Sequence, residues 1–445
     1  MLSVSRVAHA LQTVLTTTAN DAAREKQCIK RRRAFDGASL CQTLVFGWLG
    51  NPDATLDELC QMAARCGASC TAQGLDQRFS KPLADTLKVV LDAAVMQVIA
   101  TTPAAIPLFA RFNGVYLQDS SVLTLPSALA VVWQGCGDAT ETGHSAVLKL
   151  SARLDLCSGA LHGPVLHNGR VHDRTAAAAL PALPAGSLRL ADLGYFAQRD
   201  LAALDAAGGL FLTRIQVGTG VRTTADGPVR TLRAVLEEQR TDTVELSILL
   251  GAVQQLPCRL LAQRVPETVA AQRRRRLKAE AKRRGETVSA DRKHLAAWTI
   301  MATNVPAARL TLQEALVLLR ARWQVELLFK LWKSTSQIDT WRTEKPWRIL
   351  CEVYAKLIGV VIQHWLLLTG CWSFPDRSLV KAASAVRDAV AHLAATFSGH
   401  RRLCAAIRSL QCALQAGCRV NHRKALPSAF QLWLGAPSWP SETLT

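Results

Sequence analysis

Apolar residues recur every three to four positions in four stretches of the first hundred residues, at 8–19, 40–49, 55–66 and 81–100. Gly50-Asn51-Pro52 is the sharpest break among them. That period places successive side chains on one side of an α-helix, so residues 1–104 are expected to be helical. From about residue 105 the pattern changes to short alternating or uniformly apolar runs, at 114–117 leading into Gln118-Asp119-Ser120-Ser121, then at 146–154, 160–166 and 188–191. A helix is expected at 196–206 and a strand at 210–214, opened by Gly208-Gly209. Strands followed by a helix and a further strand predict a mixed sheet of the α/β class. Residues 221–265 are expected to be strand-rich, and 296–301 returns to strand. Thr311 then caps one long helix expected to run on through residue 333. The apolar run 360–368, interrupted by His364, is too short to span a bilayer and is expected as a core helix. The chain beyond 373 is expected to be helical again.

Charge narrows the choice of partner. The 445 residues carry 53 Lys and Arg against 34 Asp and Glu, a formal charge of +19. Such an excess points to a polyanion, and with 49% hydrophobic residues it belongs to folded domains rather than a disordered basic tail. Two segments concentrate it. Residues 24–33 form a dense basic patch, and residues 270–294 hold ten Lys and Arg, Arg273, Arg274, Arg275 and Arg276 among them, against three Asp and Glu. A phosphate-tracking arm is the expectation for the second. The thirteen cysteines show no Cys-x-x-Cys pair and read as free thiols in a reducing compartment. The N-terminal segment lacks the pattern of a secretory signal, and nucleic acid is favoured over a membrane surface.

Candidate chemistry lies in residues 322–333. At 100° per residue, Arg322, Glu326, Lys330 and Lys333 fall at about 0°, 40°, 80° and 20° around a helix axis, on one face. One carboxylate among three cations suits metal-assisted chemistry on a phosphate backbone, whereas a solvated stripe with a Glu326–Lys330 pair is the plain alternative. Two upstream acids bear on that choice. Asp119 is expected on a strand and Asp192 at a strand end. Carboxylates from two strands and a helix are the oxygen donors that a pair of Mg²⁺ or Mn²⁺ ions requires, and no His/Cys cluster favours zinc.

The ordered set Asp119-Ser120-Ser121 with Leu125-Pro126, then Ala191-Asp192-Leu193-Gly194-Tyr195-Phe196, Thr213-Arg214, Thr303-Asn304-Val305-Pro306, and Arg322-Trp323 with Glu326, Phe329-Lys330 and Lys333 spans residues 105–335. It resembles the DDE transposases of bacterial insertion sequences, specifically the IS-four group with its tyrosine–arginine–glutamate–lysine signature. Leu319 stands where that signature has tyrosine. The resemblance implies a ribonuclease-H-like catalytic core at 105–220 and 295–372, split by a β-rich insertion with a basic arm at 221–294. A helical DNA-binding domain at 1–104 and a helical dimerisation region at 373–445 would flank it. Asp119, Asp192 and Glu326 would be the catalytic metal ligands for two Mg²⁺ or Mn²⁺ ions. Arg322, Lys330, Lys333, Arg214 and Arg273 to Arg276 would hold DNA phosphates. Trp323 and Trp298 would stack on a flipped base, as in relatives that cut the second strand through a hairpin. The implied partners are double-stranded DNA, as terminal inverted repeats and target, and a second copy of the chain on paired ends, in the bacterial cytoplasm and without a membrane. A catalytically silent DNA-binding descendant and a structure-specific nuclease on the same core stay open.

Overall fold

The computed structural model describes residues 2–29, 34–135, 145–421 and 433–434; Lys30, Arg31, Arg32 and Arg33 of the basic patch lie outside the described residues. Helices α1 (Val4–Gln12) and α2 (Ala19–Glu25) are joined by a π-helical segment, Thr13–Thr18, and are followed by α3 (Gly37–Gly50), α4 (Leu56–Arg65), α5 (Ala72–Asp76) and α6 (Lys81–Met96). Next come β1 (Val115–Leu125), β2 (Ala146–Asp155), β3 (Leu161–Asn168), α7 (Asp173–Ala178), β4 (Leu188–Ala191), α8 (Gln198–Ala206), β5 (Leu210–Arg214) and β6 (Val221–Arg222). The chain continues through α9 (Leu232–Glu238), β7 (Thr243–Leu250), β8 (Leu256–Arg264), α10 (Glu267–Arg284), α11 (Ala290–Leu295) and β9 (Trp298–Thr303). It closes with α12 (Leu312–Ala321), α13 (Trp323–Ser334), α14 (Pro346–Leu368), α15 (Leu379–Thr396) and α16 (His400–Ala416).

The fold is mixed α/β with helical flanks, as expected. Among the described residues the strands lie in the order β3-β2-β1-β4-β5-β9-β8-β7-β6, nine in one sheet. The chain divides into two units, the first of residues 1–105, 119–181 and 324–421, the second of residues 106–118, 182–323 and 422–445.

In the first unit, capping sets the helix starts. Asp36 with Ser39, and Thr55 with Glu58, form reciprocal capping boxes at the N-termini of α3 and α4. The core of this unit is α14, buried at every residue from Ile349 to Leu368. It packs against α3, α6 and α15, and α16 packs against α1, so helices from both ends of the chain share one core. Although α14 is long and apolar enough to cross a membrane, its apolar window is wholly buried within the protein, which suits a core helix.

That burial forces two polar arrangements. Lys356 and Glu352, one turn apart, form an ion pair at 2.7 Å, and Lys356 also donates to the carbonyls of Gln337 and Thr340. His364 donates its Nε2–H to the Gly159 carbonyl at 2.7 Å. Burial pushes the His364 pKa down to about 4. A histidine held neutral in the fold contributes stability that is intact above its ordinary value near 6.5 and is lost as pH falls toward 4. About 3 kcal/mol should disappear across that window, visible as a falling urea midpoint. The His364→Gln variant should show a shallower decline, and an unchanged slope would refute the assignment.

In the second unit, β1 runs parallel to β4 from Val115↔Leu188 to Gln118↔Ala191, and β4 runs parallel to β5 from Leu188↔Leu210 to Ala191↔Thr213. β9 is antiparallel to β5 and carries the sheet on to the β8–β7–β6 meander. Asn304 ties the β5 and β9 ends together: its Oδ1 accepts from Phe211 N–H and its Nδ2 donates to the Gly209 carbonyl. Phe211, Leu236, Val244, Ile248, Leu260 and Ala302 are among the residues that fill the core.

Three expectations need correcting. The 221–265 stretch contains the helix α9, started by Thr231 and burying Leu232, Val235 and Leu236; seven residues are too few for the helical period to stand out among strands. The basic arm is the 18-residue helix α10, seated through Val269, Ala270 and Ala281. The single long helix after Thr311 is two helices, interrupted at Arg322. Arg322 keeps helical dihedrals (φ −51°, ψ −33°), so the break is in the hydrogen-bond ladder.

Candidate active site

In the second unit, β4 (Leu188-Arg189-Leu190-Ala191) is paired on both sides. The last rungs of the parallel strands are Gln118↔Ala191 and Ala191↔Thr213. Asp192 follows the carboxyl end of β4, where α/β sheets carry their reacting groups, whereas Asp119 and Arg214 lie within β1 and β5, each one residue past its strand's last rung with β4. Asp192 is still extended (φ −77°, ψ 169°), and a single 3₁₀ turn, Leu193–Tyr195, follows it. Its side chain is 46% exposed, and the Arg322 guanidinium, 15% exposed, stands 3.9 Å from it. At that separation the pair attracts as charges without a hydrogen bond.

Arg214 is exposed. Arg273 is not: it donates to the Trp298 carbonyl at 3.0 Å and to Thr299 Oγ1 at 3.2 Å. Burial, and then the nearby positive charge of Arg214, hold the Arg273 pKa below the ordinary guanidinium value. Arg274 binds Glu267 Oε1 and the Lys293 carbonyl. Of Arg273 to Arg276, Arg275 and Arg276 point to solvent, whereas Arg273 and Arg274 are engaged within the protein. The charge run concealed a stripe at helical spacing, Ala270, Arg273, Leu277 and Ala281, which could have revealed Arg273 as inward-facing.

Trp298 is 4% exposed and lies in the core, with the Arg264 guanidinium 4.6 Å above its ring. Of its two readings, core and base-stacking, this packing supports the core. Trp323 is 48% exposed.

In the first unit, Asp119 Oδ1 accepts the N–H of Ser120 at 2.8 Å. Ser120 Oγ donates to Asp173 Oδ1 at 2.7 Å, and Lys149 Nζ donates to the same oxygen at 3.0 Å. Helix α13 splits into two faces, with Val325, Leu328, Phe329, Leu331 and Trp332 buried. On the other side, Glu326 and Lys333 are half-buried and Lys330 exposed. Lys333 Nζ donates to the Val122 carbonyl at 2.9 Å, which ties the helix bearing Glu326 to the strand bearing Asp119. That bond differs from the DNA contact expected of Lys333. Nothing in the sequence signals the Ser120–Asp173–Lys149 network, whose members come from separate segments.

Asp119, Asp192 and Glu326 offer only carboxylate oxygens, a donor chemistry that fits a hard divalent cation. Among the described residues, no three His, Cys, Asp or Glu side chains gather about one point that could hold an ion.

The profile of the family described as "Transposase DDE domain" matches residues 111–362, more than half of the chain. The chain is 26% identical over 439 residues to the transposase for insertion sequence element IS231F of Bacillus thuringiensis subsp. israelensis, covering 92% of this chain and 91% of that one. It is 28% identical over 364 residues to the IS231C transposase of Bacillus thuringiensis subsp. berliner, covering 76% and 75%. It is 23% identical over 373 residues to the IS1151 transposase of Clostridium perfringens, covering 79% and 78%.

Proposed function

This chain belongs to the DDE-domain transposase family of insertion sequences, and we propose that it cuts the ends of its own element and joins them to target DNA. The observation that carries the proposal is the position of Asp119 and Asp192, each one residue past the last rung of adjacent parallel strands. In this reading Asp119, Asp192 and Glu326 hold two Mg²⁺ or Mn²⁺ ions on a ribonuclease-H-like core. Bound there, such ions activate an attacking oxygen and stabilise a leaving one. Water attacks the phosphorus at the element's end, and the bond to the 3′-oxygen breaks to leave a free 3′-hydroxyl. That hydroxyl then attacks a target phosphodiester, with no covalent protein intermediate.

The protein's own cations do the positioning. Arg322, Lys330 and Arg214 hold phosphates near the scissile bond. Exposed Trp323 is the candidate for stacking on a flipped base in a hairpin route to the second strand, a contact of roughly 1–3 kcal/mol. The basic helical N-terminal region binds the terminal repeats, and two copies pair the ends, with residues 373–445 as the candidate pairing region; of these, residues 422–432 and 435–445 lie outside the described residues.

Helix α10 presents Arg275, Arg276, Lys278, Lys282 and Arg283 to solvent. Replacing these five by alanine should weaken DNA binding and flatten its salt dependence, by roughly 0.9 in log–log slope for each phosphate no longer neutralised. A filter-binding titration at several salt concentrations reads this, and an unchanged slope would remove α10 from the interface.

The whole proposal is tested by incubating the protein with a labelled terminal-repeat duplex and Mg²⁺, then supplying a pre-cut end with plasmid. Nicking at the repeat boundary with joining of the end supports a transposase. Nicking without joining supports a nuclease, and binding without nicking supports a silent DNA-binding descendant.

A further inference from the structure

We propose that Ser120, Asp173 and Lys149 are positioning residues that fix the orientation of the Asp119 carboxylate. The inference rests on reading Asp119 as a catalytic carboxylate. An aspartate on a strand rotates about its side-chain bonds and presents its oxygens in several directions. Here one oxygen of Asp119 is held by the amide N–H of its neighbour, Ser120, at 2.8 Å. That amide can direct a carboxylate only if the peptide carrying it is itself held.

The Ser120 hydroxyl supplies the hold, donating to Asp173 Oδ1 at 2.7 Å. Asp173 is the first residue of α7, reached after two intervening strands, so the bond fastens β1 to a separate element. Lys149 in turn holds Asp173. Its side chain is 11% exposed, and its ammonium donates to Asp173 at 3.0 Å and to the Val171 carbonyl. A charge-compensated serine–aspartate–lysine network behind a carboxylate is the arrangement by which outer groups orient an ion's ligands, and loss of such support weakens metal affinity or activity by roughly 10–100-fold.

The test compares Ser120→Ala and Ser120→Thr with the wild type in the full-length protein. Mn²⁺ binding to DNA-free protein is read by electron paramagnetic resonance, and end cleavage is read against Mg²⁺ concentration. Ser120→Ala should weaken Mn²⁺ binding by roughly 10-fold and raise the half-saturating Mg²⁺ to match. Affinity for the terminal-repeat duplex should stay within about two-fold, because the phosphate contacts are untouched. Ser120→Thr keeps the hydroxyl and should restore both readouts. Asp173→Asn, which keeps an acceptor oxygen, should fall between them.

Wild-type metal response in Ser120→Ala would overturn the inference. So would parallel loss of DNA binding and thermal stability in Ser120→Ala, which would mark the network as a folding element. Failure of the wild type to cleave would count against the function proposed above, while the Mn²⁺ comparison would still decide the role of Ser120.

Discussion

Replacing Glu326 by glutamine should reduce terminal-end cleavage at least a thousandfold, about 4 kcal/mol in the barrier, while leaving binding to the terminal repeat nearly unchanged. The substitution keeps the volume of the side chain and removes its charge. Glu326 sits half-buried on the outer side of α13, whose other side buries Phe329 and Trp332. The anchor of that helix to β1 is the bond from Lys333 to the Val122 carbonyl, which glutamine at 326 leaves intact. Gel-shift affinity and gel-resolved nicking measured on the same preparation separate the two effects. Retained cleavage would exclude Glu326 as a catalytic carboxylate, and joint loss of binding and cleavage would assign it a structural role.

Replacing Lys356 by methionine should destabilise the protein by about 3–5 kcal/mol, a large part of an ordinary total of about 5–15. Lys356 is 2% exposed and Glu352 4%, and they meet at 2.7 Å. Burial pushes the Glu352 pKa up and the Lys356 pKa down, each opposed by the charge of the other. Methionine would fill the space but leave the Glu352 carboxylate and the carbonyls of Gln337 and Thr340 unpaired in the interior. The double variant Glu352→Leu with Lys356→Met should recover much of the stability, because two apolar side chains leave no charge stranded. Urea unfolding of the three proteins reads it. A single variant within about 1 kcal/mol of the wild type would show that the pair is solvated.

The Lys356 contacts also bear on the site. Gln337 and Thr340 belong to the turn that follows α13, so the buried ammonium holds the end of the helix carrying Glu326. A modest shift there would reduce cleavage without touching any catalytic group.

How far the sequence could be read follows from the reach of each signal. Hydrophobic period is local, so α3, α4 and α6 and the strands around 146–154 and 188–191 were legible, whereas the seven-residue α9 was not. The placement of Asp119 on a strand and of Asp192 at a strand end was legible from the runs around them, and the helix bearing Glu326 from its period. The break at Arg322 was not, since neither proline nor glycine marks it. Trp298 and Trp323 look alike in sequence, and only packing separates a core ring from an exposed one. The Ser120 network was invisible for a different reason: Ser120, Lys149 and Asp173 meet through a fold that local pattern does not encode.

The central place of α14 bears on how any self-association region can be mapped. Because α15 lies against α3 and α14, and α16 against α1 and α14, a chain shortened after residue 372 would leave large apolar surfaces of the N-terminal half uncovered. Such a truncation would report collapse or aggregation whatever the role of the removed helices. Point changes at solvent-facing positions such as Val380, Arg401, Arg402 and Arg408 keep that cover in place, and their effect on sedimentation would speak to partner contact alone.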